Sequence, residues 1–283
     1  MQLSIEQIIR KFSQLLAVNS DTLDVELLLA HSLGKDRTYL FTWSDRLVTE
    51  KEEVTFKALF SRRLEGEPIA YILERQAFWD LNLKTAEHTL IPRADTETLI
   101  EWVLELADSL PDRATVIDLG TGTGAIALSL AHEFSHWEVQ GVDLVPQAVE
   151  LAQHNAKLND LDHVRFFQSS WFDQVKGQFD LIVSNPPYID PEDEHLFQGD
   201  VRFEPRSALV ADNKGLADLE LIADQSRHYL LEGGWLLMEH GYDQQQAVQQ
   251  VLNRLGYQHV STRIDLGGNP RITGGQFYKG TTI

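Results

Sequence analysis

The stretch Phe179-Asp180-Leu181-Ile182-Val183-Ser184-Asn185-Pro186-Pro187-Tyr188 constrains the fold more than any other part of the chain. Its run of Leu, Ile and Val reads as a buried strand, and that strand must stop at Asn185 because two successive prolines cannot donate to a hydrogen-bond ladder. Asn185-Pro186-Pro187-Tyr188 is therefore predicted to sit on a stiff turn at a strand's carboxyl end, where open α/β sheets place their ligands. The four residues suit one task, the holding of a planar NH2 group. The Asn185 side-chain carbonyl and the Pro186 backbone carbonyl can each accept one of its hydrogens, while Tyr188 packs a ring face against it. The lone pair of such a nitrogen is tied up in conjugation, so two fixed acceptors that orient it and stabilise the positive charge it gains would promote its attack on an electrophile. The competing reading is a Pro-Pro turn that only ends a strand.

What precedes and follows this stretch decides between them. After Pro111 the pattern alternates strand and helix, which argues for a parallel sheet with crossovers. Thr115 to Leu119 reads as the first strand, Gly120-Thr121-Gly122-Thr123-Gly124 as a loop, and Ala125 to His132 as a helix. Trp137 to Asp143 is a second strand with its acid at the tip, Pro146 to Leu158 a helix, and Val164 to Phe167 a third strand leading to Trp171. A helix over Leu216 to Leu230, a strand over Trp235 to Glu239, a helix through Val248 and Leu252, and closing strands near His259 to Ile264 and Phe277-Tyr278 complete the sheet.

A glycine loop between strand and helix lets backbone N–H groups come close to a ligand. The spacing is G-x-G-x-G, neither the dinucleotide fingerprint nor a P-loop, and a plain tight turn competes with it. Asp143, about twenty residues on at the next strand tip, can accept hydrogen bonds from both hydroxyls of a ribose. Trp171 can cover an adenine face, or belong to the core. Together the glycine loop, the acid, the indole and Asn185 form an ordered series at four strand tips, which describes a nucleoside cofactor laid across the sheet with its reactive end at Asn185.

The amino-terminal part has a different pattern. Ile5, Ile8, Ile9, Phe12, Leu15 and Leu16 share one helical face between Ser4 and Ala17, opened by a Ser4…Gln7 capping box. A second helix runs from Asp21 to before Gly34, and a short third passes through Tyr39-Leu40-Phe41. Thr49 and Glu52 form another capping box, ahead of a face made by Val54, Leu59, Phe60 and Leu64 and a stop at Gly66. This small bundle is either a substrate-recognition module or a stabilising extension. Over 68–92, Tyr71-Ile72-Leu73 and the alternation Trp79, Leu81, Leu83 predict a short hairpin between two domains. Arg93, Asp95 and Glu97 then read as a capped, salt-bridged start to a helix reaching Leu106, with a functional role as the competing reading.

Bulk properties exclude several classes. With 24 basic residues against 43 acidic ones, the net charge of −19 disfavours a duplex-DNA partner, which needs clustered Lys and Arg. No cysteine is present, so disulfides, thiolate nucleophiles and cysteine zinc sites are absent and a reducing cytoplasm is the expected location. There is no run of eighteen apolar residues and no basic-then-apolar amino terminus, so a soluble protein with no membrane association is expected. Asp190, Glu192, Asp193 and Glu194 read as a solvated lid, with no metal expected, and Glu239-His240 as a supporting or packing pair.

Asn185-Pro186-Pro187-Tyr188 with the glycine loop resembles the class-one S-adenosylmethionine-dependent methyltransferases that act on planar NH2 nitrogens. The bundle, Ile91-Pro92-Arg93-Ala94-Asp95-Thr96-Glu97, Asp118 to Gly124 and Asp200-Val201-Arg202-Phe203-Glu204-Pro205 together resemble the peptide-chain release factor glutamine methyltransferases, over almost the whole chain. The resemblance implies an α/β, Rossmann-like methyltransferase sheet at 93–283, a helical bundle at 1–67 that recognises release factors, and a hairpin linker at 68–92. It implies S-adenosyl-L-methionine as cofactor, held by Gly120, Thr121, Gly122, Thr123, Gly124, Asp143, Trp171 and Asn185. It further implies that Asn185, Pro186, Pro187 and Tyr188 hold the glutamine of a Gly-Gly-Gln loop, with Asn185, Pro186 and Tyr188 as the catalytic set. Two positions depart from the family pattern: Ala94 stands where proline is usual, and Glu74 where glycine usually follows Tyr-Ile-Leu. A DNA amino methyltransferase and a non-catalytic adaptor on the same scaffold are the alternatives. The chain's own Gly274-Gly275-Gln276 reads as coincidence.

Overall fold

The computed structural model describes residues 2–16 and 22–280. The chain separates into two compact units, one of 1–74 with 198–203, the other of 75–197 with 204–283. The expected bundle spanned 1–67 and the expected linker 68–92, whereas the hairpin strands fall wholly in the second unit.

In the first unit the amphipathic pattern gives helices Ile5–Ser13, Thr22–Leu33, Arg37–Thr42 and Glu50–Leu64. Both capping boxes form: Ser4 with Gln7 and Thr49 with Glu52, each satisfying amide groups that a helix start leaves without partners. The first helix ends earlier than expected, and the expected boundary residues Ala17 and Asp21 lie outside the described residues. Phe12 meets Phe56 and Phe60 edge-on with ring centroids 4.9 Å apart in both pairs. The inward face of Glu50–Leu64 is carried by Phe56 and Phe60, not by Val54 and Leu64, which are 63% and 52% exposed. The Phe56–Phe60 spacing of four keeps the two rings on one stripe, and Val54 falls outside it. Tyr71 and Ile72 belong to a single helical turn, Ile69–Ile72, where an extended segment was expected. Glu74 just after it has φ +52°, a left-handed conformation that explains why glycine suits this position.

The second unit opens on the antiparallel hairpin of β1 (Arg75–Phe78) and β2 (Leu81–Lys84). Phe78, Leu81 and Leu83 are buried, while Trp79 occupies the turn at φ +51° instead of alternating with the leucines. A seven-stranded sheet follows, made of β3 (Thr115–Leu119), β4 (Glu138–Asp143), β5 (Arg165–Gln168), β6 (Phe179–Ser184), β7 (Leu230–Glu239), β8 (Gln258–Ile264) and β9 (Pro270–Gln276). Its spatial order is β5-β4-β3-β6-β7-β9-β8, with only β9 antiparallel to its neighbours. Side chains alternate across the sheet as the pleat requires: Val116, Leu181, Val183, Trp235 and Leu237 enter one core layer, and Ile117, Ile182, Leu236 and Met238 the other.

The last strand lies earlier than Phe277-Tyr278. Pro270, Gly274 and Gly275 lie within it, and a Cβ on Gly274 would come within 2.3 Å of Leu237 and one on Gly275 within 2.9 Å of Tyr257. Close packing against neighbours selects glycine here. Gln276 is tied down through Nε2 to the Gly233 carbonyl at 2.8 Å, so the chain's own Gly-Gly-Gln is a structural element of an inner strand.

Candidate active site

The order of strands turns around between β3 and β6, and that is where the site forms. Register aligns the strand tips: Leu119 pairs with Val142 on one side and with Ser184 on the other, and Ser184 pairs with Met238. The residues that follow, Gly120, Asp143, Asn185 and Glu239, therefore stand in a row along one edge of the sheet. A cavity of about 230 Å³ opens above them, walled by the glycine loop, Asp143, Trp171, Asn185 and Pro187 together with Thr96, His88 and Asp218.

The glycine loop differs from expectation in one respect. Its N–H groups are mostly used inside the fold: Gly120 and Thr121 donate to the Val142 carbonyl, Gly124 to the Thr121 carbonyl, and Gly122 to Asp143 Oδ2 at 2.9 Å. The glycines serve shape. Gly120 and Gly122 take φ +72° and +55°; a Cβ on Gly120 would meet the Trp171 ring at 3.3 Å, and one on Gly122 would project into open space. Asn155, buried in the helix Pro146–Leu158, fastens the loop to the hairpin by donating to the carbonyls of Thr123 and Lys84 while accepting from the Lys84 amide. No motif in the sequence marked that residue.

Asp143 accepts one backbone N–H on each oxygen, from Gly122 and from Val145, both at 2.9 Å. A carboxylate offers about four acceptor sites, so acceptor capacity remains on it for a ribose hydroxyl. Burial raises its affinity for a proton, opposed by the backbone donors of Val145, Gly122 and Leu144. Beneath the loop, Asp118 is fully buried, accepts from the Thr121 hydroxyl at 2.6 Å and leaves Oδ1 without a partner among the described residues. Burial pushes its pKa up to about 7. Asp218, which no motif in the sequence marked, lines the cavity together with Trp171.

At the other end, Asn185 Nδ2 donates to Thr96 Oγ1 at 3.2 Å. Among the described residues neither Asn185 Oδ1 nor the Pro186 carbonyl takes a donor. Tyr188 donates its hydroxyl to Glu239 Oε1 at 3.0 Å, and its backbone carbonyl accepts from Gln244. Burial next to Glu239 raises the phenol's pKa, so Tyr188 stays neutral. His240 diverges from Glu239 and is hydrogen-bonded to Thr273 Oγ1 at 2.7 Å. The helix Glu97–Leu106 is not capped by its own acids as expected. Instead Glu97 accepts from the Trp79 amide, Asp95 pairs with Arg271 at 3.3 Å, and Arg93 pairs with the buried Glu204. Each of these charges reaches a different element, because Ala94–Thr96 is a 3-10 turn that carries Thr96 to Asn185.

The acids after Tyr188 make local turns: Asp190 accepts from the Glu192 amide and Asp193 from the His195 amide. Among the described residues the one grouping with metal-ligand spacing is the exposed Asp80, His132 and Glu133, none of which lines the cavity.

Two family models match the chain, the Methyltransferase small domain over residues 96–200 and the PrmC N-terminal domain over residues 7–73. Curated release factor glutamine methyltransferases from Aliivibrio fischeri, Pseudomonas aeruginosa and Escherichia coli are 48%, 52% and 47% identical. They cover 98%, 94% and 94% of this chain and 99%, 96% and 96% of their own lengths. The chain belongs to the release factor glutamine methyltransferase family. Two solved structures show the fold at low identity. The catalytic domain of hMettl16, bound to an RNA hairpin, gives a TM-score of 0.58 at 18% identity, covering 84% of this chain and 86% of that one. A methyltransferase from Pyrococcus furiosus gives 0.54 at 19%, covering 76% and 96%.

The release factor glutamine methyltransferase family uses S-adenosylmethionine as methyl donor, and the pocket's chemistry fits it. Asp143 keeps acceptor capacity for a ribose, the Gly122 side of the loop is open where a side chain would intrude, and Trp171 offers a ring over Gly120. No helix of the described residues is long and apolar enough to cross a membrane.

Proposed function

We propose that the protein transfers a methyl group from S-adenosylmethionine to the side-chain amide nitrogen of the glutamine in the Gly-Gly-Gln loop of peptide-chain release factors. The observation that carries this reading is the Asn185-Pro186 corner, whose two carbonyl oxygens are unclaimed at the tip of β6 and one strand away from the glycine loop. Bound in the pocket, S-adenosylmethionine supplies a methyl group activated by a sulfonium. Gly120 to Gly124, Asp143 and Trp171 hold the nucleoside part. Asn185 Oδ1 and the Pro186 carbonyl each accept a hydrogen of the carboxamide NH2, fixing the nitrogen's direction and favouring the positive charge it acquires. The neutral Tyr188 ring packs against the amide plane. No residue has to remove a proton before attack, because the nitrogen becomes strongly acidic once it gains charge. The bundle at 1–67 recognises the release factor, and the reaction takes place in the cytoplasm, where translation terminates.

A single assay tests this. Incubation with labelled S-adenosylmethionine, a purified release factor and unmethylated DNA is expected to place label on the Gly-Gly-Gln glutamine alone. Label on DNA, or on neither, overturns the reading.

A further inference from the structure

Tandem prolines leave the acceptor corner short of donors. Neither Pro186 nor Pro187 has an N–H, so both can be hydrogen-bonded only through their carbonyls. The Pro186 carbonyl takes no donor among the described residues, and the corner is held instead from the residue that follows it. Gln244 Nε2 donates to the Tyr188 carbonyl at 2.9 Å. The same nitrogen donates to the Lys214 carbonyl at 3.1 Å, while Gln244 Oε1 accepts from the Gly241 amide at 2.8 Å. Two carbonyls face one end of this carboxamide and an N–H faces the other, so only one orientation of it fits and both hydrogens of its NH2 are used.

Gln244 also starts the helix Gln245–Arg254, and its bond to Gly241 serves that helix start. Its other bonds reach further. Tyr188 is held twice from the stretch that ends β7 and follows it: its hydroxyl donates to Glu239 Oε1 at 3.0 Å, and its carbonyl accepts from Gln244. The hydroxyl anchor alone lets the ring pivot about its tip, and the carbonyl anchor fixes the backbone from which the ring hangs. A turn closes on the same carbonyl. Asn213, Lys214 and Gly215 take φ of +55°, +56° and +78°, and a Cβ on Gly215 would lie 2.0 Å from the Tyr188 oxygen. Residues with side chains adopt this left-handed region at a cost, so such a run persists only where its surroundings hold it. Gln244 bonds to the carbonyl of its middle residue.

We propose that Gln244 is a positioning residue for methyl transfer: its NH2 ties the Tyr188 carbonyl to the Asn213–Gly215 turn and so sets the tilt of the Tyr188 ring against the substrate amide. The inference rests on the reading of Tyr188 as the ring that packs on the glutamine carboxamide, and it adds the group that keeps the ring there. The two ends of the side chain have separate tasks. Oε1 serves the helix start, and Nε2 serves the acceptor corner. A glutamate at 244 keeps an oxygen for the Gly241 amide, and its charge suits a helix start, but it sets an acceptor against the carbonyls of Tyr188 and Lys214. A methionine keeps the length of the side chain and neither kind of bond.

The test uses the full chain with S-adenosylmethionine and a purified release factor. Gln244→Glu and Gln244→Met are each expected to lower kcat about fivefold or more, with KM for the release factor and calorimetric affinity for S-adenosylmethionine within about twofold of wild type. Retained cofactor affinity reports that the pocket is folded. In a Tyr188→Ala background, adding Gln244→Glu is expected to cost less than about a further twofold, because the ring it positions is gone. Wild-type kcat in either Gln244 variant, a fall in cofactor affinity as large as the fall in kcat, or the full loss repeated in the Tyr188→Ala background would each overturn the proposal. A helix-only role predicts that Gln244→Glu keeps wild-type kcat. Tyr188→Ala separates the two readings. If it is impaired while Gln244→Glu is fully active, only the positioning role of Gln244 fails; if it transfers methyl at the wild-type rate, the packing role of Tyr188 itself fails.

Discussion

The two ends of the pocket are held by different kinds of group. Around the glycine loop most hydrogen bonds run from backbone amides, into the Val142 carbonyl, the Thr121 carbonyl and the Asp143 carboxylate, with side chains of Asn155 and Thr121 adding to them. Around Asn185 they run between side chains, from Asn185 to Thr96 and from Tyr188 to Glu239. Bonds from backbone amides fix the shape of a cleft, which is what a binding surface needs. Side-chain bonds fix the direction of one functional group, which is what a transferring nitrogen needs. Affinity for the nucleoside and alignment of the acceptor are thus expected to respond to different substitutions.

The sharpest break of this comparison is Asn185→Ala. Methyl transfer should fall by about 10²–10³-fold, the order seen when one transition-state hydrogen-bonding group is removed, while cofactor affinity by calorimetry changes far less. An unchanged transfer rate would erase the distinction between the ends. Next comes Asp143→Ala, which removes an ionised acceptor of the ribose. Cofactor affinity should weaken about 10–100-fold, and kcat at saturating cofactor should stay within a fewfold of wild type. Undiminished affinity in titration calorimetry would place the nucleoside elsewhere.

A third prediction concerns the acid beneath the glycine loop. Asp118 holds its proton up to about pH 7 in the folded chain, whereas an exposed aspartate releases it near 3.8. Between those values the folded state binds more protons than the unfolded one, so stability declines as pH rises from about 4 to about 7 and then levels off, by at most about 1.4 kcal/mol per pH unit. Melting temperatures measured from pH 5 to 8 should show the decline in wild type and a flatter profile in Asp118→Asn. A parallel pair of profiles would remove Asp118 as the cause. The smallest effect lies outside the pocket. Glu74→Gly relieves a left-handed conformation worth about 1–2 kcal/mol and adds unfolded-state entropy of roughly 0.5–1 kcal/mol, for a net gain of at most about 1.5 kcal/mol in denaturant unfolding. A loss of stability would mean that the contacts of Glu74 outweigh its strain.

Much of this pocket was legible as pattern. Asn185 and the tandem prolines, Asp143 at a strand tip and the alternation of strand and helix are local signals, written in periodicity and in residues with unusual backbone demands. The face of Glu50–Leu64 was misjudged because Val54 and Phe56 are both apolar, and only packing on Phe12 says which turns inward. The strand Pro270–Gln276 was obscured because its glycines answer a neighbour's volume and not a turn. Thr96 lay inside a recognised motif with no role attached, since its partner Asn185 is 89 positions away.

Sequence alone determined which atoms could grip an NH2 group and in what order the strand tips carry the cofactor-binding residues, because proline, glycine and apolar periodicity act on the chain locally. Tertiary structure decided that the loop's amides are spent within the fold, that Arg93, Asp95 and Glu97 reach out to other elements, and that Thr96 and Glu239 stand behind Asn185 and Tyr188. Those are choices of hydrogen-bond partner, and a partner is set by which distant segments the sheet brings within 3 Å or so, a distance no local pattern encodes.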